Sequence, residues 1–201
     1  MIDARGDELT RRWSLRLLAG VLGGCVVLSG CSEKREANDS LPTASTSPTE
    51  EDLPPLGPED LPMPDEARQQ TGQGALEFAR YFFEVNEHVA TGTLDPAPLL
   101  ALSQNCGICE RIAHSYRGDA AAGYHYRGFE YTFEASSPGV LDGSQAEVGF
   151  LYSQTAYSVV DSRDASVPAR AGVASGPLQS GMVLQWDDEL STWLVTDMTI
   201  G

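Results

Sequence analysis

The sequence predicts an α+β domain in which helices come first and pack on a curved, four-stranded antiparallel sheet. Three observations predict it. Apolar residues between Gly74 and Arg117 recur at helical spacing. After Gly123 the apolar period changes to two. Residues 65–201 follow a polar, proline-rich stretch and are enough for one hydrophobic core.

The elements follow in order. Thr71 is placed to cap a helix from about Gly74 to Ala90, with Ala75, Phe78, Ala79, Phe82, Val85 and Val89 on its inner face. Asp95-Pro96 signals the start of a short helix through Leu102. A third helix is expected from Gly107 to Arg117, with Ile108, Ile112, Ala113 and Tyr116 turned inward. Phe129, Tyr131, Phe133 and Ala135 then alternate with polar residues as a first strand, with Gly128 marking a bulge or bend. Ala146, Val148, Phe150 and Tyr152 form a second, continuing to Val160. Met182, Leu184 and Trp186 form a third. Leu194, Thr196, Met198 and Ile200 form the inner set of a fourth, opposite Trp193 and Val195. Pro138-Gly139, Asp142-Gly143 and Asp187-Asp188-Glu189 read as turns, and Asp161 to Gly176 as a longer, mobile connection. One long helix laid on such a sheet resembles the nuclear-transport-factor-2-like (NTF2-like), or cystatin-like, cone.

The amino terminus has a different logic. Residues 1–30 hold Arg5, Arg11, Arg12 and Arg16, then an apolar run from Leu15 to Leu28. A bilayer span needs about 20 apolar residues, so this run is short for one. A charged start, a short apolar run and a small-residue exit describe a secretory signal. Leu28-Ser29-Gly30-Cys31 resembles a bacterial lipobox. The resemblance implies cleavage before Cys31, lipid on its thiol, and anchoring on the outer face of a cell membrane. At least two chains are needed for durable anchoring. Cys25 lies within the apolar run, which continues beyond it to Leu28. Thr10-Arg11-Arg12-Trp13-Ser14-Leu15 resembles a twin-arginine export signal except at Ser14, so the export route stays open.

Residues 31–64 are rich in proline, serine, threonine and acid, as in Ser45-Thr46-Ser47-Pro48-Thr49-Glu50-Glu51-Asp52. Their apolar residues have no period. Such a segment is expected to be a disordered, self-repelling tether. Four of the 13 basic and three of the 29 acidic residues fall in 1–30. The remainder carries nine basic against 26 acidic residues, a net charge of −17. That field repels nucleic acid and anionic headgroups, which argues against nucleic acid as a partner.

Of the four cysteines, Cys25 leaves with the signal and Cys31 takes the lipid, leaving Cys106 and Cys109. Outside the cytoplasm two such thiols are expected to form a disulfide. A redox-active Cys-x-x-Cys would follow a strand in a βαβ unit, and here helical pattern precedes it. Zinc would need two further ligands, and no second Cys/His pair has metal spacing. No metal or other cofactor is expected.

A family resemblance rests on Pro64-Asp65-Glu66-Ala67-Arg68, Thr71, Gly74-Ala75, Phe78, Tyr81-Phe82, Leu102-Ser103 and Cys106-x-x-Cys109. These residues resemble an uncharacterised family of actinobacterial lipoproteins with a signal, a low-complexity stalk and one domain of unknown function. The resemblance spans about 62–201. It implies an envelope location and a similar fold, and no activity.

Few residues suggest chemistry. His88, His114 and His125 are isolated along the chain. Glu84 and His88 share a helix face at i, i+4, as an acid–base pair or an ordinary solvated pair would. Tyr81, Glu84 and Tyr131 are candidates to line a cone cavity. Tyr152, Tyr157, Trp186 and Trp193 could form a sugar-binding stripe or plain sheet packing. No nucleophile elbow, phosphate loop or paired-carboxylate motif is present. Three functions remain: a non-catalytic module binding an envelope protein or small ligand, an enzyme using the cone cavity, and a structural envelope component. A binding module calls for an apolar pocket or patch without convergent ionisable groups, and an enzyme for a buried carboxylate or histidine with a strongly shifted pKa deep in a pocket.

Overall fold

The computed structural model describes residues 55–135 and 137–201. The expected signal peptide, Cys31 and the tether through residue 54 lie outside the described residues.

Helix α1 spans Gly72–Thr91, α2 Ala97–Ala101 and α3 Gly107–Ala121. Thr71 caps α1, its Oγ1 accepting the Gly74 N–H at 3.0 Å. This satisfies one of the four N–H groups that a helix start leaves unpaired. All six inner-face residues expected on α1 are buried. Helix α3 runs one turn beyond the expected end at Arg117. Gly118 weakens the helical signal there, but Asp119, one residue on, is buried and hydrogen-bonded, and that tertiary anchor carries the helix onward.

Among the described residues seven strands follow: β1 His125–Arg127, β2 Tyr131–Glu134, β3 Val140–Asp142, β4 Gln145–Gln154, β5 Ser158–Val160, β6 Ser175–Asp187 and β7 Thr192–Thr199. The main sheet is antiparallel in the order β2-β4-β6-β7, with β3 also paired to β4. It therefore has five strands rather than the expected four, and β1 and β5 form a separate two-stranded sheet. Both β1 and β3 have three residues, too few to display a period of two. The second expected strand does not run on to Val160. It ends at Gln154, where Thr155 turns back, its N–H donating to Glu130 O and its hydroxyl to Gly128 O. The next residues leave the sheet to pair with β1.

The last strand corrects an inner face. Met182 faces Met198, but Leu184 faces Val195, so the register slips by one between them. Because strand side chains alternate, that slip turns Trp193 and Val195 into the main core cluster, while Leu194 is buried outside that cluster and Thr196 is half-buried. Met198 keeps its expected inward place.

The core lies between α1 and the sheet. Phe83 sits at its centre, with ring centroids of Tyr131, Phe133, Phe150 and Tyr152 at 5.3–5.7 Å. Gly72, at the start of α1, touches the loop before β3: the Gly139 N–H donates to Gly72 O at 2.8 Å. A Cβ on Gly72 would lie 2.3 Å from Gly139 O, so the approach needs glycine.

Two further expectations are corrected. Residues 55–64 are not part of a disordered tether. Met63 is buried, Leu56 and Leu61 pack on the core, and the Tyr81 hydroxyl donates to Leu61 O at 2.7 Å. The folded unit thus begins before residue 65, because three apolar residues without a period still suffice to cover the open flank of α1. The 161–176 connection is also laid down rather than loose. Asp161 N donates to Ala165 O, Val167 N to Val159 O, and Tyr157 and Gly172 exchange a pair of hydrogen bonds at 3.1 Å.

Candidate functional site

Where α1 passes β2, an open cleft of about 450 Å³ is bounded by Arg80, Glu84, Glu87, His88, Tyr131 and Phe133. Positions 80, 84, 87 and 88 share one face of α1 because they are spaced by three and four. Strand β2 supplies the opposite wall through Tyr131 and Phe133. The volume falls in the range of small-molecule sites.

The Arg80 guanidinium lies 5.3 Å from the centre of the Phe133 ring. The Tyr131 N–H donates to Glu87 Oε2 at 3.4 Å, joining strand to helix. His88 Nε2 lies 3.4 Å from Asp60 Oδ1, so its neighbour is a residue of the early packed segment. Partial burial raises the pKa of Glu84 above the usual carboxylate value. Arg80 opposes the rise, and Glu77 and Glu87 add to it. Burial is also the main reason that the Tyr131 hydroxyl holds its proton more tightly, with Glu84 and Glu87 adding to the effect.

The cleft unites Glu84, His88 and Tyr131, as the sequence suggested. It excludes Tyr81, whose side chain is buried beneath Leu61. Glu84 and His88 face the cleft without a hydrogen bond between them among the described residues. Between α1 and the sheet, where an enzyme of the cone type would place its cavity, the rings of Tyr131, Phe133, Phe150 and Tyr152 pack around Phe83.

The remaining candidates separate. Cys106 and Cys109 are paired, Sγ to Sγ at 2.01 Å, at the start of α3. Cys106 is the cap, its Sγ accepting the Cys109 N–H at 3.2 Å, and both are buried against the core. The four aromatics of the supposed stripe all pack on the core, in separate ring contacts apart from the Trp186–Trp193 pair. Trp193 is fully buried, meets Trp186 edge to face at 5.2 Å and donates its Nε1–H to Gln69 O at 3.0 Å. Tyr152 joins the Phe83 cluster, and Tyr157 stacks on Tyr126 at 5.2 Å. His125 is exposed on β1.

Sequence reasoning missed a polar network at the end of α3. Asp119 is only 3% exposed. Nη2 of Arg170 lies 2.6 Å from each of its carboxylate oxygens, and the Tyr126 hydroxyl donates to Oδ2. Nearby, the buried Tyr116 hydroxyl donates to Asn86 Oδ1 at 3.0 Å and links α3 to α1. No motif announces these groups, since Asp119 and Arg170 are 51 residues apart.

Among the described residues no group of three or more His, Cys, Asp or Glu could hold a metal ion, and no helix is long and apolar enough to cross a membrane.

No family model matches the chain, and no curated protein matches it. Solved structures do. The intermembrane-space region of the chloroplast protein ARC6 is similar at 12% identity and a TM-score of 0.46, covering 64% of this chain and 95% of that one. A designed NTF2-like protein is similar at 12% identity and a TM-score of 0.34, covering 63% of this chain and 99% of that one. At these scores neither likeness bears on function. The class of the domain rests on its own architecture: an α+β fold with one long helix across an antiparallel sheet.

Proposed function

We propose that this chain is a cell-envelope lipoprotein, anchored through lipid on Cys31, whose domain is a non-catalytic binding module of the NTF2-like or cystatin-like kind. The observation that carries the binding reading is the placement of space. Aromatic rings occupy the interior where a cone enzyme would enclose its substrate, and the concavity instead opens to solvent between α1 and β2. Its lining brings Glu84 and Glu87 together with Tyr131, while Arg80 already covers the Phe133 ring. That combination suits a cationic group, whether of a small ligand or of a partner's basic side chain, because carboxylates and ring faces both attract positive charge. The acidic stretch after Cys31 suits a tether that holds the domain away from the membrane, since like charges extend such a chain.

Two measurements test this. Metabolic labelling with a fatty-acid analogue should mark the wild-type protein and not Cys31→Ser; an unlabelled wild type rejects the anchor. Photo-crosslinking of the full-length lipoprotein in intact cells, with the probe at Thr91 beside the cleft, should trap a discrete species. Glu84→Gln with Glu87→Gln should abolish it. Trapping that is indifferent to both substitutions rejects the cleft as the binding site.

A further inference from the structure

A second cleft, of about 420 Å³, opens beside α3 and is bounded by Arg111, His114, Ser115, Gly118, Asp119, Tyr124 and Arg170. Positions 111, 114, 115 and 118 share one face of the helix, spaced by three and four. Arg170 reaches across from the 161–176 connection.

The charges here run against those of the whole chain. Residues 65–201 contain seven arginines and no lysine, and two of the seven converge on this one cleft. Arg170 is held in place: Nη2 donates to Asp119 and, at 3.0 Å, to Ser115 Oγ. The Tyr126 hydroxyl is a further neighbour of the guanidinium. Asp119 is already satisfied by Arg170 and Tyr126, so its charge is compensated from within. Arg111 is exposed and has no hydrogen-bond or ion-pair partner among the described residues. A Cβ on Gly118 would meet nothing within 4 Å, so the wall of the cleft is open at that point.

We infer that this cleft binds the oxyanion of a small ligand, a carboxylate or a phosphate, between Arg111 and Arg170. A planar guanidinium presents paired N–H groups that match two oxygens of such an anion. Arg170 is oriented beforehand by Asp119 and Ser115, so less freedom is lost when the ligand arrives. His114 and the Ser115 hydroxyl add donors at the rim. The overall negative charge does not forbid this, because at physiological salt charges beyond about 8 Å are largely screened.

The test uses the full mature chain in detergent, with backbone and arginine side-chain NMR. The probes are inorganic phosphate and succinate, each compared with sodium chloride at equal ionic strength. Saturable shifts are expected at Arg111, Gly118 and Arg170 with one probe or both, and the probe that saturates assigns the anion class. Arg111→Gln, an exposed change that leaves the fold intact, should raise the Kd about tenfold or more, as expected for losing a charge-assisted contact. Gly118→Gln, which puts a side chain into the open wall, should also block binding. Shifts no larger than those of chloride, or saturation unchanged in both variants, would overturn the inference. The α1–β2 cleft lies on other elements, so its resonances should stay still throughout. This keeps the outcome separate from that of the proposed cationic site.

Discussion

Tyr81 donates its hydroxyl to the carbonyl of Leu61, which precedes it by 20 residues, at 2.7 Å. This bond fastens the end of the acidic stretch to the long helix and sets where the folded unit begins. Tyr81→Phe should cost about 1 kcal/mol of stability. Met63→Ala should cost about 2–4 kcal/mol, as for a buried apolar side chain. Urea denaturation followed by circular dichroism measures both. Two variants as stable as wild type would mean that residues 55–64 contribute nothing to the fold.

Phe83 is the ring that the sheet closes upon, and four aromatic neighbours surround it. Truncation to alanine leaves a cavity that these rings fill only in part, at a cost of about 3–5 kcal/mol. Val140→Ala, at a position 72% exposed on β3, should change stability by less than about 0.5 kcal/mol. The contrast is read as the difference in urea midpoint at constant m-value.

Asp119 and Arg170 should behave as a coupled pair. Asp119→Asn weakens two short contacts of Arg170 and the one from Tyr126, and about 1–3 kcal/mol of stability should be lost. The partner is 40% exposed, so Arg170→Ala should cost less. A double-mutant cycle measures the coupling, and additive losses would show that the two act independently.

Reducing the Cys106–Cys109 bridge frees a four-residue loop. The chain-entropy model puts its contribution at about 2 kcal/mol. Thermal unfolding with and without dithiothreitol should show a lower Tm in the reduced protein. Cys106→Ser with Cys109→Ser should reproduce that drop and abolish the effect of the reductant.

Alkaline pH should unfold the domain through its tyrosines. Burial pushes Tyr81 up from 10 to about 12, and Tyr116, Tyr126, Tyr131 and Tyr152 rise for the same leading reason. The folded state thus prefers the neutral phenol. That stability is fully present below about pH 10 and is lost as pH rises through the folded values. Tyrosinate absorbance should therefore climb late and together with the loss of circular dichroism. A smooth titration near pH 10 in a still-folded protein would contradict this.

Much of the scaffold was legible because it repeats locally. The inner face of α1 and the alternation from Ala146 to Tyr152 are periodic over enough residues to be read without neighbours. The cap at Thr71 and the turn at Asp142-Gly143 are equally local. The candidate site was half legible. Glu84 and His88 share a helix face by spacing alone, but Tyr131 meets them only because β2 lies against α1. Strands β1 and β3 escaped because three residues carry no period, and the inner face of β7 was misassigned because a bulge is invisible to alternation.

By itself, then, the sequence determined the α+β class, the order of the main elements, and the expectation of lipid on Cys31, which is read from residues 1–31 alone. Tertiary structure decided the rest: the burial of Met63, the flip at Trp193 and the meeting of Asp119 with Arg170. The physical reason is range. Periodicity, capping and short motifs act over a few residues, whereas a bulge, a buried carboxylate and a shared cleft depend on surfaces that only folding brings together.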